Sequence, residues 1–242
     1  MNLRTLVACF AFVLLETIIA VLATSAAHAS TLQRETQALP DVAAPPAGRA
    51  YWIARSMRLN GVPMTLKSFA APVNAAEVLN HYERELRTSS DQKTRRSHEA
   101  QWRVLSVRAS KYFITVRARD TARGAEGTIA VSPPLSEARA STHTRFPHPE
   151  SARVVSLQQY DDEGIEAEHI SLMSRRSVTI EAREFARLLA REGWQLQRIE
   201  SAADRRGGYI IEAQKAASLA VINLHRTERG GETSIMVVWR KA

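Results

Sequence analysis

The stretch ARGAEGTIAV (residues 122–131) is nearly restated as ERGGETSIMV (residues 228–237). Arg123-Gly124 corresponds to Arg229-Gly230, Ile129 to Ile235 and Val131 to Val237. Just upstream, YFITVRARD (112–120) corresponds to LAVINLHRT (219–227). Both runs alternate and are rich in β-branched or aromatic residues, the pattern of a strand with one buried face. Each copy therefore predicts a hairpin whose glycine supplies backbone angles that other residues resist.

The correspondence extends backwards. MRLNGVPMTLKSF (57–69) holds Asn60-Gly61 between two alternating runs, the strongest short hairpin signal. RVVSLQQYDDEGIEAEHISLM (153–173) repeats the plan with a longer turn ending at Gly164. A helix follows in each half. NAAEVLNHYERELR (74–87) opens on an Asn cap with Glu77 three residues on, and Val78, Leu79, Tyr82 and Leu86 form its apolar stripe. TIEAREFARLLAREG (179–193) reads as capped by Thr179, with Ile180, Phe185, Leu188 and Leu189 inward and Gly193 as the stop. Strands WQLQRI (194–199) and YIIEAQ (209–214) complete the second half. In the first half WRVLSVR (102–108) is clear, while the polar run at 88–100 reads as a loop or a degenerate strand.

The fold expected is α+β: a tandem duplication of a small antiparallel sheet, each copy packed on one helix. In plan this resembles paired helix-grip domains of bacterial envelope proteins, a likeness of architecture alone. The repeats are placed at 51–131 and 151–242. Residues 132–150, with four prolines, read as the linker, and the aperiodic, Ala- and Pro-rich stretch 30–50 as a flexible leader.

Residues 1–29 read as a signal peptide. Arg4 precedes the apolar run 6–15, and AHA (27–29) before Ser30 fits small-x-small cleavage. Glu16 interrupts the apolar run, which argues against a permanent span. The expected location is the periplasm or the exterior, the alternative being an inner-membrane anchor through an uncleaved signal. Cys9 is the only cysteine, so cleavage leaves no disulfide, thiolate nucleophile or Cys-based metal site. The 242-residue chain carries +8, and 28 of its 33 basic residues are arginine.

No sequence pattern of a catalytic elbow, metalloprotease helix or phosphate loop occurs, and the seven histidines are scattered. No cofactor is expected. The acids in YDDEG (160–164) read as a solvated turn, since a calcium loop needs spaced ligands over about twelve residues. Three double-Arg sites, Arg95-Arg96, Arg175-Arg176 and Arg205-Arg206, would form an anion-binding patch if they converge. Trp102 and Trp194 begin strands and are expected in the core, Trp239 finishes the last strand, and Trp52 is expected to be exposed. In that last strand Ile235, Val237 and Trp239 alternate with Met236 and Val238, so both faces are apolar and each needs a cover. Met236, Val238 and Trp52 are therefore the candidate partner-binding residues.

These features point to a non-enzymatic exported module. It would bind or assemble in the bacterial envelope, as an accessory subunit of a secretion, pilus or outer-membrane machine. The alternative is a binder of anionic polymer or membrane surface through the double-Arg loops. Sequence-specific nucleic acid binding is not expected, because no basic helix or aromatic platform is present.

Overall fold

A computed structural model describes residues 31–87, 93–109, 111–134, 141–162, 165–202, 207–227 and 231–241. The expected pair of separate sheets, each on one helix, is corrected. The described residues form one twelve-stranded antiparallel sheet with three helices. The strands are β1 (Arg49–Leu59), β2 (Val62–Ala71), β3 (Lys93–Glu99), β4 (Trp102–Arg108), β5 (Phe113–Thr121), β6 (Gly124–Ser132), β7 (Ala152–Asp162), β8 (Ile165–Ser174), β9 (Gln195–Ala202), β10 (Gly208–Lys215), β11 (Ser218–Arg226) and β12 (Thr233–Arg240). The helices are α1 (Thr31–Gln37), α2 (Ala75–Glu85) and α3 (Val178–Arg191).

The order across the sheet is β3-β4-β5-β6-β2-β1-β7-β8-β12-β11-β10-β9. Read outward from the middle, both halves run first, second, sixth, fifth, fourth, third. The two halves meet where β1 pairs antiparallel with β7: Met57 faces Tyr160, Arg58 faces Gln159 and Leu59 faces Gln158. Left apart, each half would expose one more unpaired strand edge, and pairing β1 with β7 satisfies both. The remaining edges are β3 (KTRRSHE) and β9 (QLQRIESA). Strand β3 is the run read as a loop. Its charges suit an outer edge, where they discourage further pairing, and so they hide the alternation that marks an inner strand.

Residues opposite one another across a ladder share a face. Ile170 faces Leu157, Gln159 faces Arg58, Arg58 faces Pro63 and Thr65 faces Val131. This path leads from the core beneath α3 to the core beneath α2, so both helices lie on the same face of the sheet. Helix α2 buries Val78, Leu79 and Tyr82 against Leu105, Val116 and Ile129. Helix α3 buries Phe185 and Leu189 against Ile211, Ile222 and Ile235.

Local signals explain the helix ends. The Asn74 side chain accepts from the Glu77 amide at 2.9 Å, as expected. The second cap is Ser177 rather than Thr179, and Ile180 points to solvent at 47% exposure. Asn60 and Gly61 both take positive φ, 51° and 83°, as a two-residue hairpin turn requires.

Two segments expected to be open connections are tied down. The leader carries α1, whose Leu32 and Thr36, one turn apart, are both buried. The Thr36 hydroxyl donates to the Ser56 hydroxyl on β1 at 3.1 Å. In the connection before β7, Phe146 is 1% exposed and its ring lies 5.4 Å from Trp194 and 5.5 Å from Trp239.

The repeat also has a register that the quoted phrase misses. Ala71 and Ser174 each lie three residues before their helix caps, and they face Ala125 and Thr233. Met236 thus occupies the position of Thr128, and Ile129 that of Val237, two residues away from the sequence overlay. The turns cause the slip: two residues join β5 to β6, and six join β11 to β12.

Candidate functional site

The face opposite the helices carries no packed element among the described residues. On its second half the exposed positions of β11 and β12 are apolar: Leu219 is 50% exposed, Val221 37% and Met236 49%, and Val238 is half-buried. Val221 faces Val238 across the ladder, and Met236 faces Asn223 on one side and Ser171 on the other. Beneath them, Ile222, Ile235 and Val237 are fully buried against α3. The last strand is apolar on both faces, as read from sequence, and the described residues cover one of them.

The first half provides a comparison within the chain. There the positions equivalent to Leu219, Val221, Met236 and Val238 are Phe113, Thr115, Thr128 and Ala130, with Arg117 and Arg119 alongside. Trp102, expected in the core, lies half-buried on this face with the guanidinium groups of Arg117 and Arg119 at 5.1 and 4.9 Å from its ring. Identical topology thus supports smaller or hydroxyl-bearing residues at Thr115, Thr128 and Ala130 in one half, where Val221, Met236 and Val238 stand in the other.

Trp52 does not join Met236 and Val238. It faces Lys67, which faces Ile129 of the α2 core, so Trp52 lies on the helix-bearing side. It is half-buried, with Arg55 at 4.8 Å and Lys67 at 4.3 Å from its ring.

Arg205 and Arg206 lie outside the described residues. Arg95 and Arg96 sit on β3, where Arg96 pairs with Glu83 of α2. Arg175 and Arg176 occupy the turn from β8 to α3. Seven strand spacings of about 4.8 Å separate β3 from β8, so the two pairs lie roughly 34 Å apart in the sheet. They form no common patch. Arg175 and Arg176 instead join Arg153 around a cavity of about 340 Å³, a grouping the sequence spacing does not signal.

A second cavity, of about 470 Å³, lies on the helix side at the junction of the halves. Asp161 and Glu168 are buried in its wall, which overturns the solvated-turn expectation for Asp161; Glu163 and Gly164 lie outside the described residues. Glu168 accepts from Thr144 Oγ1 at 2.7 Å and Gln159 Nε2 at 3.1 Å. Lys241 donates to Glu166 at 2.8 Å. His143 lines the cavity, but its imidazole has no hydrogen bond to these acids among the described residues. His169 instead lies beside Tyr160, ring centres 4.9 Å apart, where burial lowers the His169 pKa and raises that of Tyr160. Among the described residues there is no group of three or more His, Cys, Asp or Glu placed to hold a metal. Nor is any described helix long and apolar enough to cross a membrane.

No protein-family model, curated protein or solved structure matches this chain. The functional reading therefore rests on its own residues.

Proposed function

We propose that the protein is a non-enzymatic, exported binding or assembly module of the bacterial envelope, and that the open face of β11 and β12 is its partner surface. The observation that carries this reading is the contrast between the two halves. At matched positions the first half has Thr128, Ala130 and Thr115, and the second has Met236, Val238 and Val221. The smaller, hydroxyl-containing set forms the same sheet, so folding does not demand the larger apolar one. The first repeat also exposes Tyr51, Ile53 and Leu59 on β1, but on the adjacent strands β11 and β12 the exposed Leu219, Val221 and Met236 lie together on one face, an area that fits burial against another protein, which removes it from water.

The signal-like segment 1–29 supports export, and an accessory role in a secretion, pilus or outer-membrane machine follows from a binding surface without a catalytic set. In the junction cavity two of the three lining acids are already engaged, Glu168 by two donors and Glu166 by Lys241. This supports a binding role over a catalytic one.

The test is Val238→Arg with pull-down at low and high salt. The wild-type chain is expected to retain one envelope protein at high salt, because apolar contacts resist screening. The variant loses it while its circular dichroism and Tm stay unchanged. Unfolding of the variant would show Val238 to be core, and retention lost as salt rises would assign the contact to charges.

A further inference from the structure

We propose that the second half holds an oxyanion site, formed by Arg153, Arg175 and Arg176, which binds a phosphate group. This is a separate activity from partner binding on the open face. Arg153 opens β7, and Arg175 and Arg176 follow β8 in the turn to α3. With Ser151, Ser174 and Glu232 they line the cavity of about 340 Å³. All three arginines are exposed, and none has a side-chain hydrogen bond or ion pair among the described residues.

The turn that carries them is fixed. The Arg176 amide donates to Ser174 Oγ at 3.1 Å, and its carbonyl accepts from Thr233 Oγ1 at 2.7 Å. Ser174 and Ser151 both donate to Glu181 Oε1, at 2.5 and 2.8 Å, and Glu181 is wholly buried. The guanidinium groups therefore extend from a braced backbone.

The internal repeat supplies the second observation. In the first half the opening amide of α2, on Ala75, donates to Asp120 Oδ1 at 2.7 Å. Asp120 faces Ala125, which faces Ala71. In the second half Arg226 faces Thr233, which faces Ser174. Arg226 therefore stands where Asp120 stood. Counted from the helix caps, Arg175 and Arg176 likewise replace Pro72 and Val73. The first repeat thus carries a carboxylate against its helix opening where the second has Arg226, and at the turn itself Pro72 and Val73 give way to the two arginines of the cavity.

Glu232 on the rim and Glu181 below oppose an anion, but the three lining arginines outnumber them. The planar guanidinium fork matches phosphate oxygens in pairs. The cavity has room for a phosphate and a substituent, so the group can come from a soluble phosphate or from a lipid headgroup.

The test is calorimetric titration of the full chain with inorganic phosphate, beside sedimentation with phosphatidylglycerol and phosphatidylcholine vesicles. One phosphate per chain is expected, with affinity falling about tenfold or more in Arg175→Ala/Arg176→Ala and unchanged in Arg183→Ala on α3. Arg153→Ala, which removes the lining guanidinium supplied by β7, is expected to lower the affinity likewise and keep the fold. It decides the matter if the double variant fails to fold. Vesicle binding lost in the same variants assigns the phosphate to a lipid; phosphate binding without vesicle binding assigns it to a soluble ligand. Absence of saturable phosphate binding, or binding untouched by these changes, would overturn the proposal.

Discussion

Asn60 and Leu157 exchange two hydrogen bonds across the middle of the sheet. The Asn60 amide donates to the Leu157 carbonyl at 2.8 Å, and the Asn60 side-chain oxygen accepts from the Leu157 amide at 2.8 Å. Its own carbonyl accepts from the Ser141 amide at 2.6 Å. Asn60 thus forms a turn at φ 51° and lengthens a junction that has only three facing pairs. Glycine at this position accepts the backbone angle but leaves the Leu157 amide without its partner. Asn60→Gly is expected to cost about 1–3 kcal/mol in chemical denaturation. Asn60→Asp, which keeps the acceptor, should cost less. Equal stability of the glycine variant and wild type would show that the junction does not depend on this bond.

Gly127 lies under the Phe69 ring on the helix-bearing side. A β-carbon there would run into the Arg117 carbonyl oxygen and that ring. Gly127→Ala is expected to destabilise by about 1–3 kcal/mol or more through overpacking. Gly207, where an added β-carbon meets nothing within 4 Å, has no such conflict of space. Thermal unfolding of the Gly127 variant reads the difference directly.

Tyr82 ties the segment after α1 to the first core. Its ring is 1% exposed and its hydroxyl donates to the Ala43 carbonyl at 2.8 Å. Tyr82→Phe keeps the ring and removes the bond, for a loss of about 1 kcal/mol. Limited proteolysis should then cut near Ala43 sooner than in wild type. An unchanged cleavage rate would show that Val42 and its neighbours hold the segment unaided.

Burial lowers the pKa of His148, with His143 adding to the effect, and burial also lowers that of His169. As pH falls through about 6.5 the unfolded chain takes up these protons first, so folded stability is full above that pH and declines below it. The Tm is expected to fall between about pH 7.5 and 5.5, and to fall less in His148→Gln/His169→Gln. An identical decline in both proteins would assign the loss to other groups.

Much of the plan was legible. Asn60-Gly61 and the Asn74 cap act as read, and the alternating runs of β5, β6, β11 and β12 are strands. Three things were hidden for physical reasons. Strand β3 is an edge strand, so charges replace the alternation that marks inner strands. Helix α1 has only seven residues, too few for Leu32 and Thr36 to show a period. The joining of two sheets into one depends chiefly on backbone pairing between β1 and β7, and the Asn60 side chain that extends it carries no signal of its distant partner in the sequence. In the candidate site, Met236 and Val238 were marked by a strand apolar on both faces, while a bulge-shifted register placed Trp52 on the other side of the sheet. Arg153 escaped notice because it neighbours Arg175 and Arg176 only through the β7–β8 ladder.

The most direct test of the partner surface is in-cell photo-crosslinking from position 236, with position 183 on the outer side of α3 as the comparison. A crosslinking residue replacing Met236 is expected to capture one discrete envelope protein, and one replacing Arg183 to capture none. No adduct from position 236, or the same adducts from both positions, would contradict the assignment of the open face of β11 and β12 as the binding surface.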